Sequence, residues 1–439
     1  MNSVGTVAFY TLGCKLNFSE TSTIARSIIN EGYKKVELQD AADIYVINTC
    51  SVTDNADKKC KKIVQQAKKH NPHSKVFVIG CFAQLKPEEI SKINGVDLVL
   101  GASEKFNLNE YITQKKQTKE KFLAGEIIHV NDFKSAFSEG DRTRTFLKVQ
   151  DGCDYFCSFC TIPLARGFSR SDTVNNTLKE AIKASELGAK EIVLTGVNIG
   201  DFGKDTKESF FDLIKALEEN TKVPRYRISS IEPNLLTDDI VDFVKQSNKF
   251  LPHFHIPLQS GSDKILKLMR RRYERALYFE KVAHIKKLLP NACIGVDVIV
   301  GFPGESDDDF MDTMDFIKSL DVSYLHVFTY SERENTTAIR MKEVVPQAIR
   351  AKRSEMLHQL SEKKKRYFNE QNIGKKFKVL FEAENDGNMM YGFTENYIKV
   401  RVPYDPMFVN EIIDFRLIEI NNEMIGEGYL VEQNLLQNK

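Results

Sequence analysis

Cys153-Asp-Tyr-Phe-Cys157-Ser-Phe-Cys160 sets three thiols into eight residues, directly behind a strand-like run at Thr145–Gln150. Thiolates at this spacing wrap one compact soft-metal centre. A structural zinc takes four ligands, commonly as two C-x-x-C pairs. Here only three cysteines are local, and no histidine follows at finger spacing. An iron–sulfur cubane held by three thiolates keeps one iron open to a small ligand, so the missing fourth ligand has a use. A zinc site or a chance cluster of packing cysteines stands as the alternative.

The chain beyond the triad fixes the fold class. Strand-like runs at Thr145–Gln150, Glu191–Gly196, Tyr226–Ser230, Phe254–Leu258, Ile294–Val300 and Tyr324–Thr329 alternate with helical stretches. Six βα units with glycine or polar residues at the strand ends predict a partial TIM-like (β/α)6 barrel, with its site on the carboxyl-end rim. Upstream, Val7–Gly13, Ile44–Thr49, Val76–Gly80 and Leu98–Gly101 alternate with helices in the manner of an open parallel sheet. A polar linker is expected at Asn131–Asp141. A charged helix from Gln347 to about Gln371 is expected to lead outward. Beyond Gly374, short runs at Phe377–Glu382, Tyr397–Val402, Ile412–Glu419 and Tyr429–Val431 predict a small antiparallel β-barrel. The expectation is therefore an α/β multidomain chain divided as 1–130, 139–370 and 372–437.

Eight cysteines in 439 residues, with no secretory pattern in Met1–Thr6 and no apolar run near 20 residues, predict a cytoplasmic protein free of membrane spans. In that setting cysteines serve metals or catalysis more than disulfides. The net charge of +1 implies no global pull toward nucleic acid. It leaves local basic runs at Lys58–Lys62, Arg270–Arg272 and Lys363–Arg366, which ordinarily are solvated helix faces. Three further cysteines stand just past strand ends: Cys14, Cys50 and Cys81. Ligands of open α/β sheets gather there, so these thiols are placed to converge. Cys60 and Cys293 have no such placement and are expected to be packing residues.

The triad, with aromatic Phe159 before its last cysteine, resembles that of radical S-adenosylmethionine (SAM) enzymes. Gly13-Cys14-Lys-Leu-Asn17, Asn48-Thr-Cys50-Ser-Val-Thr53 and Gly80-Cys81-Phe-Ala-Gln84 resemble the cysteine motifs of the radical SAM methylthiotransferase family. The resemblance covers nearly the whole chain. It implies a flavodoxin-like N-terminal domain, a radical SAM barrel, and a C-terminal barrel of the TRAM type. It implies two 4Fe-4S clusters, one on Cys14, Cys50 and Cys81, the other on Cys153, Cys157 and Cys160. Two SAM molecules are implied as well, one a methyl donor and one a 5′-deoxyadenosyl radical source. Phe159, Gly196, Asn198, Ser230, Glu232, Gln259 and Val300 are the expected SAM contacts.

Of the family's branches, the phrases Leu12–Glu20, Gln150–Cys153, Ile162–Gly167, Leu194–Asp201 and Arg227–Pro233 resemble the one acting on threonylcarbamoyladenosine in tRNA. Isopentenyladenosine in tRNA and a ribosomal-protein aspartate are the alternatives. An iron–sulfur electron carrier or RNA-binding module is the non-enzymatic one. Because the threonylcarbamoyl group carries a carboxylate, Arg166 or Arg170 is a candidate reader, with an ordinary salt bridge as the rival role. Lys378, Lys399 and Arg401, with Tyr397 and Tyr404 as stacking platforms, are expected to grip the anticodon stem-loop. The resemblance implies a reductase such as flavodoxin as electron donor. A monomer is expected.

Overall fold

The computed structural model describes residues 4–50, 54–140 and 143–431, with the backbone alone for 54–57. The N-terminal unit is a six-stranded sheet in the order Tyr33–Val36, Gly5–Thr11, Ile44–Thr49, Lys75–Gly80, Leu98–Leu100, Phe122–Leu123, every pairing parallel. This is the flavodoxin-like order. The central strand Ile44–Thr49 is buried along its whole length, as a parallel strand covered on both faces must be. Cys14, Cys50 and Cys81 follow three neighbouring strands at the point where the strand order reverses.

The second unit carries six parallel strands: Arg144–Lys148, Glu191–Thr195, Arg225–Ile228, His253–His255, Cys293–Val300 and Tyr324–Thr329. Bridges from Tyr226 to Phe250 and from Ser230 to His255 join its two halves. Among the described residues the first and last strands do not pair, so the barrel stays open on one side. The helix Lys15–Asn30 packs against the first strand at that opening. The expected linker supplies a short strand, Ala136–Phe137, antiparallel to Arg144–Lys148. It is held by Arg26, whose Nη2 donates to the Phe137 carbonyl at 2.9 Å while the guanidinium covers its ring.

The helix Gln347–Glu370 does not lead outward. It lies along the last barrel strand and is anchored by two buried arginines. Arg350 donates to the Val345 and Tyr330 carbonyls, and Arg353 pairs with Glu305 at 2.6 Å. A run of charged residues hid this anchoring face from the sequence pattern. The terminal unit is a closed five-stranded barrel around Val379, Phe381, Met390, Val400, Phe415 and Leu417. Its strand Met389–Thr394 escapes a propensity reading because Gly392 interrupts it. A Cβ at Gly392 would stand 2.5 Å from Val379 Cγ1, so the close strand approach excludes any side chain. Cys60 and Cys293 are buried in apolar cores, as expected of packing residues. No helix among the described residues is long and apolar enough to cross a membrane.

Candidate active site between two cysteine triads

The loop holding Cys153, Cys157 and Cys160 is fixed by its backbone. Gly152 adopts φ +70°, and a Cβ there would lie 1.9 Å from the Phe168 carbonyl oxygen, so only glycine permits the turn. The Cys153 amide donates to the Gly167 carbonyl at 3.0 Å, and Ser158 is tied to Leu268 and Met269. Arg271 donates to Cys157 Sγ at 3.1 Å and also pairs with Glu232. Burial, with some help from the neighbouring thiols, pushes Cys153 and Cys160 up to about 12. Left alone, this site disfavours thiolates; a bound cation would supply the charge they lack.

The second triad is assembled by small residues and amides. At Gly13 (φ +97°) a Cβ would lie 2.8 Å from Cys50 Sγ, so the first cysteine loop can lie against the second only without a side chain. Asn17 Nδ2 donates to the carbonyls of Leu12 at 2.8 Å and Thr49 at 2.9 Å, binding the two loops together. Thr49 donates to the Ile79 carbonyl and accepts from the Ala83 amide, which brings in the Cys81 loop. Cys14 caps the 16-residue helix Lys15–Asn30, whose N-terminal dipole favours negative charge there. Among the described residues, the one group of three His, Cys, Asp or Glu ligand atoms lying within 4.8 Å of one another is His255, Asp297 and His326. A structural zinc would need a fourth donor at each triad, whereas a cubane cluster is held by three thiolates with one iron left open.

Beside the second triad lies a buried ion network. Glu20, fully buried, receives Lys105 at 2.7 Å, Lys148 at 2.9 Å and Arg166 at 3.1 Å; Arg166 and Lys148 also reach Asp151 at 2.9 and 2.7 Å. Burial works to raise the Glu20 carboxyl, but Arg166, Lys105 and Lys148 outweigh it and hold the group well below the usual carboxylate range. Burial likewise opposes the Arg166 charge, which Cys81, Glu20, Asp151 and Cys14 restore. This corrects the carboxylate-reader expectation for Arg166, whose guanidinium is buried and already held by Glu20, Asp151 and Asn17. Arg170 is also committed: its three guanidinium nitrogens serve Asp151 and the carbonyls of Asp132, Arg166 and Phe168.

Two cavities adjoin the cysteine triads. A smaller one of about 190 Å³ is lined by Phe159, Cys160, Gln259, Ile299 and Phe328. The Gln259 Oε1 is buried without a partner, on a residue held at φ +66°, as a carboxamide reserved for a ligand would be. Cysteine, aromatic face and orphan acceptor together fit SAM beside a cluster. Asn198 Oδ1 is a second orphan acceptor, and Glu232 stands by the triad through Arg271. Val300 is a correction: its side chain is packed in the barrel core, and its strand neighbour Ile299 faces the cavity, since side chains alternate along a strand.

The larger cavity, about 860 Å³, is lined by Cys14 and Cys50 on one side and by Gly196, Ser230, His255 and Asp297 on the other. It shares Asp297 and Phe328 with the smaller one. Its wall also includes Lys15, Arg144, Arg227 and Tyr397. Tyr397 comes from the terminal barrel, at a turn with φ +69°, and its hydroxyl accepts from Arg144 at 3.3 Å. The expected RNA-stacking role of Tyr397 is thus replaced by one in the cavity wall. Arg144 and His253 were missed, and Arg227 stood in the phrase Arg227–Pro233 without a role, because nothing in a strand's sequence marks which of its polar residues faces a cavity. Arg271 was legible only as part of a three-arginine run. Lys378 is exposed, Lys399 covers the Tyr391 ring at 4.1 Å, and Arg401 pairs with Glu427, all on the terminal barrel.

Residues 6–101 match the family described as Uncharacterized protein family UPF0004, and residues 147–317 match the Radical SAM superfamily. The chain is 38% identical over 427 residues to the threonylcarbamoyladenosine tRNA methylthiotransferase MtaB of Bacillus subtilis (strain 168), spanning 95% of this chain and 94% of that one. It is 33% identical over 432 residues to the tRNA-2-methylthio-N(6)-dimethylallyladenosine synthase of Clostridium tetani (strain Massachusetts / E88), again spanning 95% and 94%. Among solved structures it is similar to the radical S-adenosylmethionine methyltransferase TsrM from Kitasatospora setae. That match has a TM-score of 0.56 at 12% identity, covering 76% of this chain and 77% of that one, and it is a likeness of fold.

Proposed function

We propose that this chain, which belongs to the radical SAM methylthiotransferase family, adds a methylthio group to C2 of N6-threonylcarbamoyladenosine beside the anticodon of tRNA. The observation that carries the reading is the pair of adjoining cavities. Cys14 and Cys50 line one, Cys160 lines the other, and Asp297 and Phe328 border both. A nucleobase in the larger cavity lies between the two cysteine triads. The identity to relatives named for this substrate is higher than to the dimethylallyl synthase, which supports the choice of branch.

When bound, a cluster on Cys153, Cys157 and Cys160 would supply the electron that cleaves SAM to a hydrogen-abstracting radical, and one on Cys14, Cys50 and Cys81 would carry the sulfur to be transferred. The chain's own work is to place and enclose the reactants. Phe159 and Gln259 form the SAM wall, with Gly196, Ser230 and Asn198 at neighbouring strand ends. His253, Tyr324 and Tyr397 form an aromatic wall for the base. Arg271 steadies Cys157, and the Glu20 network holds the two cysteine-bearing units in register. The segments 1–130, 139–370 and 372–437 then act as sulfur carrier, radical generator and RNA holder. In the last of these, Lys378, Lys399 and Arg401 face phosphates. The enzyme works as a cytoplasmic monomer fed by a flavodoxin-type reductase.

The test is anaerobic incubation of the iron-loaded protein with SAM, a reductant and an anticodon stem-loop bearing threonylcarbamoyladenosine. The methylthio nucleoside is expected together with 5′-deoxyadenosine and S-adenosylhomocysteine. Turnover of an isopentenyladenosine stem-loop in its place would refute the branch, and no 5′-deoxyadenosine at all would refute the enzyme.

A further inference from the structure

With Arg166 and Arg170 committed elsewhere, a different residue must meet the substrate's carboxylate. The large cavity is lined by four cations, Lys15, Lys59, Arg144 and Arg227. Two of them are already matched. Arg144 pairs with Glu382 at 3.1 Å and reaches Tyr397. Arg227 pairs with Glu191 at 2.9 Å and donates to the carbonyls of Thr394 and Glu395. Asp297, the carboxylate on the cavity wall, is engaged by His255 at 2.8 Å. Lys59 sits exposed on the lysine-rich helix Asp54–His70, at the edge of the wall.

Lys15 differs from all of these. It follows Cys14 directly, has no hydrogen bond or ion pair to any described residue, and its amine is near enough to Tyr397, Arg144, Arg227 and Asp297 to feel their charges. Its side chain lines the cavity wall and keeps accessible surface there. A cavity whose wall carries an unmatched ammonium beside two arginines favours an anionic guest.

We propose that Lys15 reads the carboxylate of the threonylcarbamoyl group through a charge-assisted hydrogen bond, and so sets which modified adenosine this cavity accepts. The proposal rests on the tRNA reading and names the residue that gives it its specificity. The ammonium stands one residue from Cys14, so gripping the carboxylate also orients the base toward the second triad. An isopentenyl group offers Lys15 no partner and would leave the amine desolvated and unmatched, a penalty against that substrate.

The experiment measures binding and single-turnover methylthiolation on three anticodon stem-loops: the natural acid, its threonyl amide and its methyl ester. The proteins are the iron-loaded wild type, Lys15→Met, Lys15→Arg and Lys59→Met, with iron content and the electron paramagnetic resonance signals of both clusters recorded for each. Wild type is expected to bind the acid about 10- to 100-fold more tightly than the amide or ester. Lys15→Met is expected to lose that ratio by weakening the acid alone, Lys15→Arg to keep most of it, and Lys59→Met to keep it whole. Equal wild-type affinity for acid and amide overturns the proposal, as does a ratio that survives in Lys15→Met or collapses in Lys59→Met. If Lys15→Met loads no iron at its second cluster, the Lys15→Arg ratio decides, and a ratio near one overturns the assignment. Failure of the tRNA reading looks different: the wild type then converts none of the three stem-loops.

Discussion

Replacing Glu20 with glutamine removes one buried carboxylate that serves three cations at 2.7 to 3.1 Å. Removing one partner of a buried ion pair costs about 3–5 kcal/mol, because the opposite charge is left without compensation. With Asp151 alone facing Lys105, Lys148 and Arg166, the upper half of that range is expected. Glu20 and Lys105 belong to the N-terminal unit, whereas Lys148, Asp151 and Arg166 belong to the barrel, so the loss falls on the docking of the two units. At a urea slope of about 3 kcal/mol/M, the unfolding midpoint should drop by about 1.3–1.7 M. The pH dependence carries a sign. The Glu20 carboxyl is depressed in the folded protein, so its contribution is complete above the unfolded value of about 4.3 and is lost as pH falls toward the folded one. The gap between wild type and Glu20→Gln should therefore stay level from pH 8 to pH 5 and narrow by about 1.4 kcal/mol per unit below pH 4. Urea titrations followed by fluorescence and circular dichroism at several pH values measure both effects. A midpoint shift below about 0.3 M at pH 7, or a gap that stays level in acid, would refute the reasoning.

Gly13→Ala places a methyl group 2.6 Å from Cys50 Cβ at φ +97°, so iron content should fall to about half while the Cys153 cluster keeps its resonance signal; full iron loading would contradict the packing account. Arg271→Met withdraws a donor from Cys157 Sγ, and the reduction potential of that cluster should move to more negative values by tens of millivolts; an unchanged potential in a redox titration counts against the contact. Tyr397→Phe should leave tRNA affinity within about twofold and lower the methylthiolation rate about tenfold or more, because its hydroxyl orders Arg144 in the cavity wall; an unchanged rate would count against that role.

The barrel and the sheet were legible because their strands are short apolar runs closed by glycine or polar residues, and the cysteines because they stand at those closures. Gly13-Cys14-Lys15-Leu-Asn17 exposes its logic only in three dimensions: the glycine admits Cys50, and the asparagine ties two loops across 32 positions of sequence. The ion network was invisible for the same reason. Glu20 and Arg166 are 146 positions apart, and each alone reads as a surface charge. Arg166 and Arg170 looked free because a sequence does not show which carboxylates fold over them. Tyr397 looked like a strand residue, but its left-handed backbone turns it out of the barrel toward another unit. Long-range charge pairing and single-residue turns leave no periodic trace.

The central claim is that two cysteine triads serve one threonylcarbamoyladenosine. Nucleoside mass spectrometry of tRNA from a strain lacking this gene tests it most directly. Each rescue plasmid carries the wild type, the triple variant of Cys14, Cys50 and Cys81 to alanine, or that of Cys153, Cys157 and Cys160. The account predicts that the 2-methylthio form of threonylcarbamoyladenosine disappears, that the unmodified nucleoside accumulates, and that only the wild type restores the product. Persistence of that product in the deletion, or its restoration by either triple variant, would contradict it.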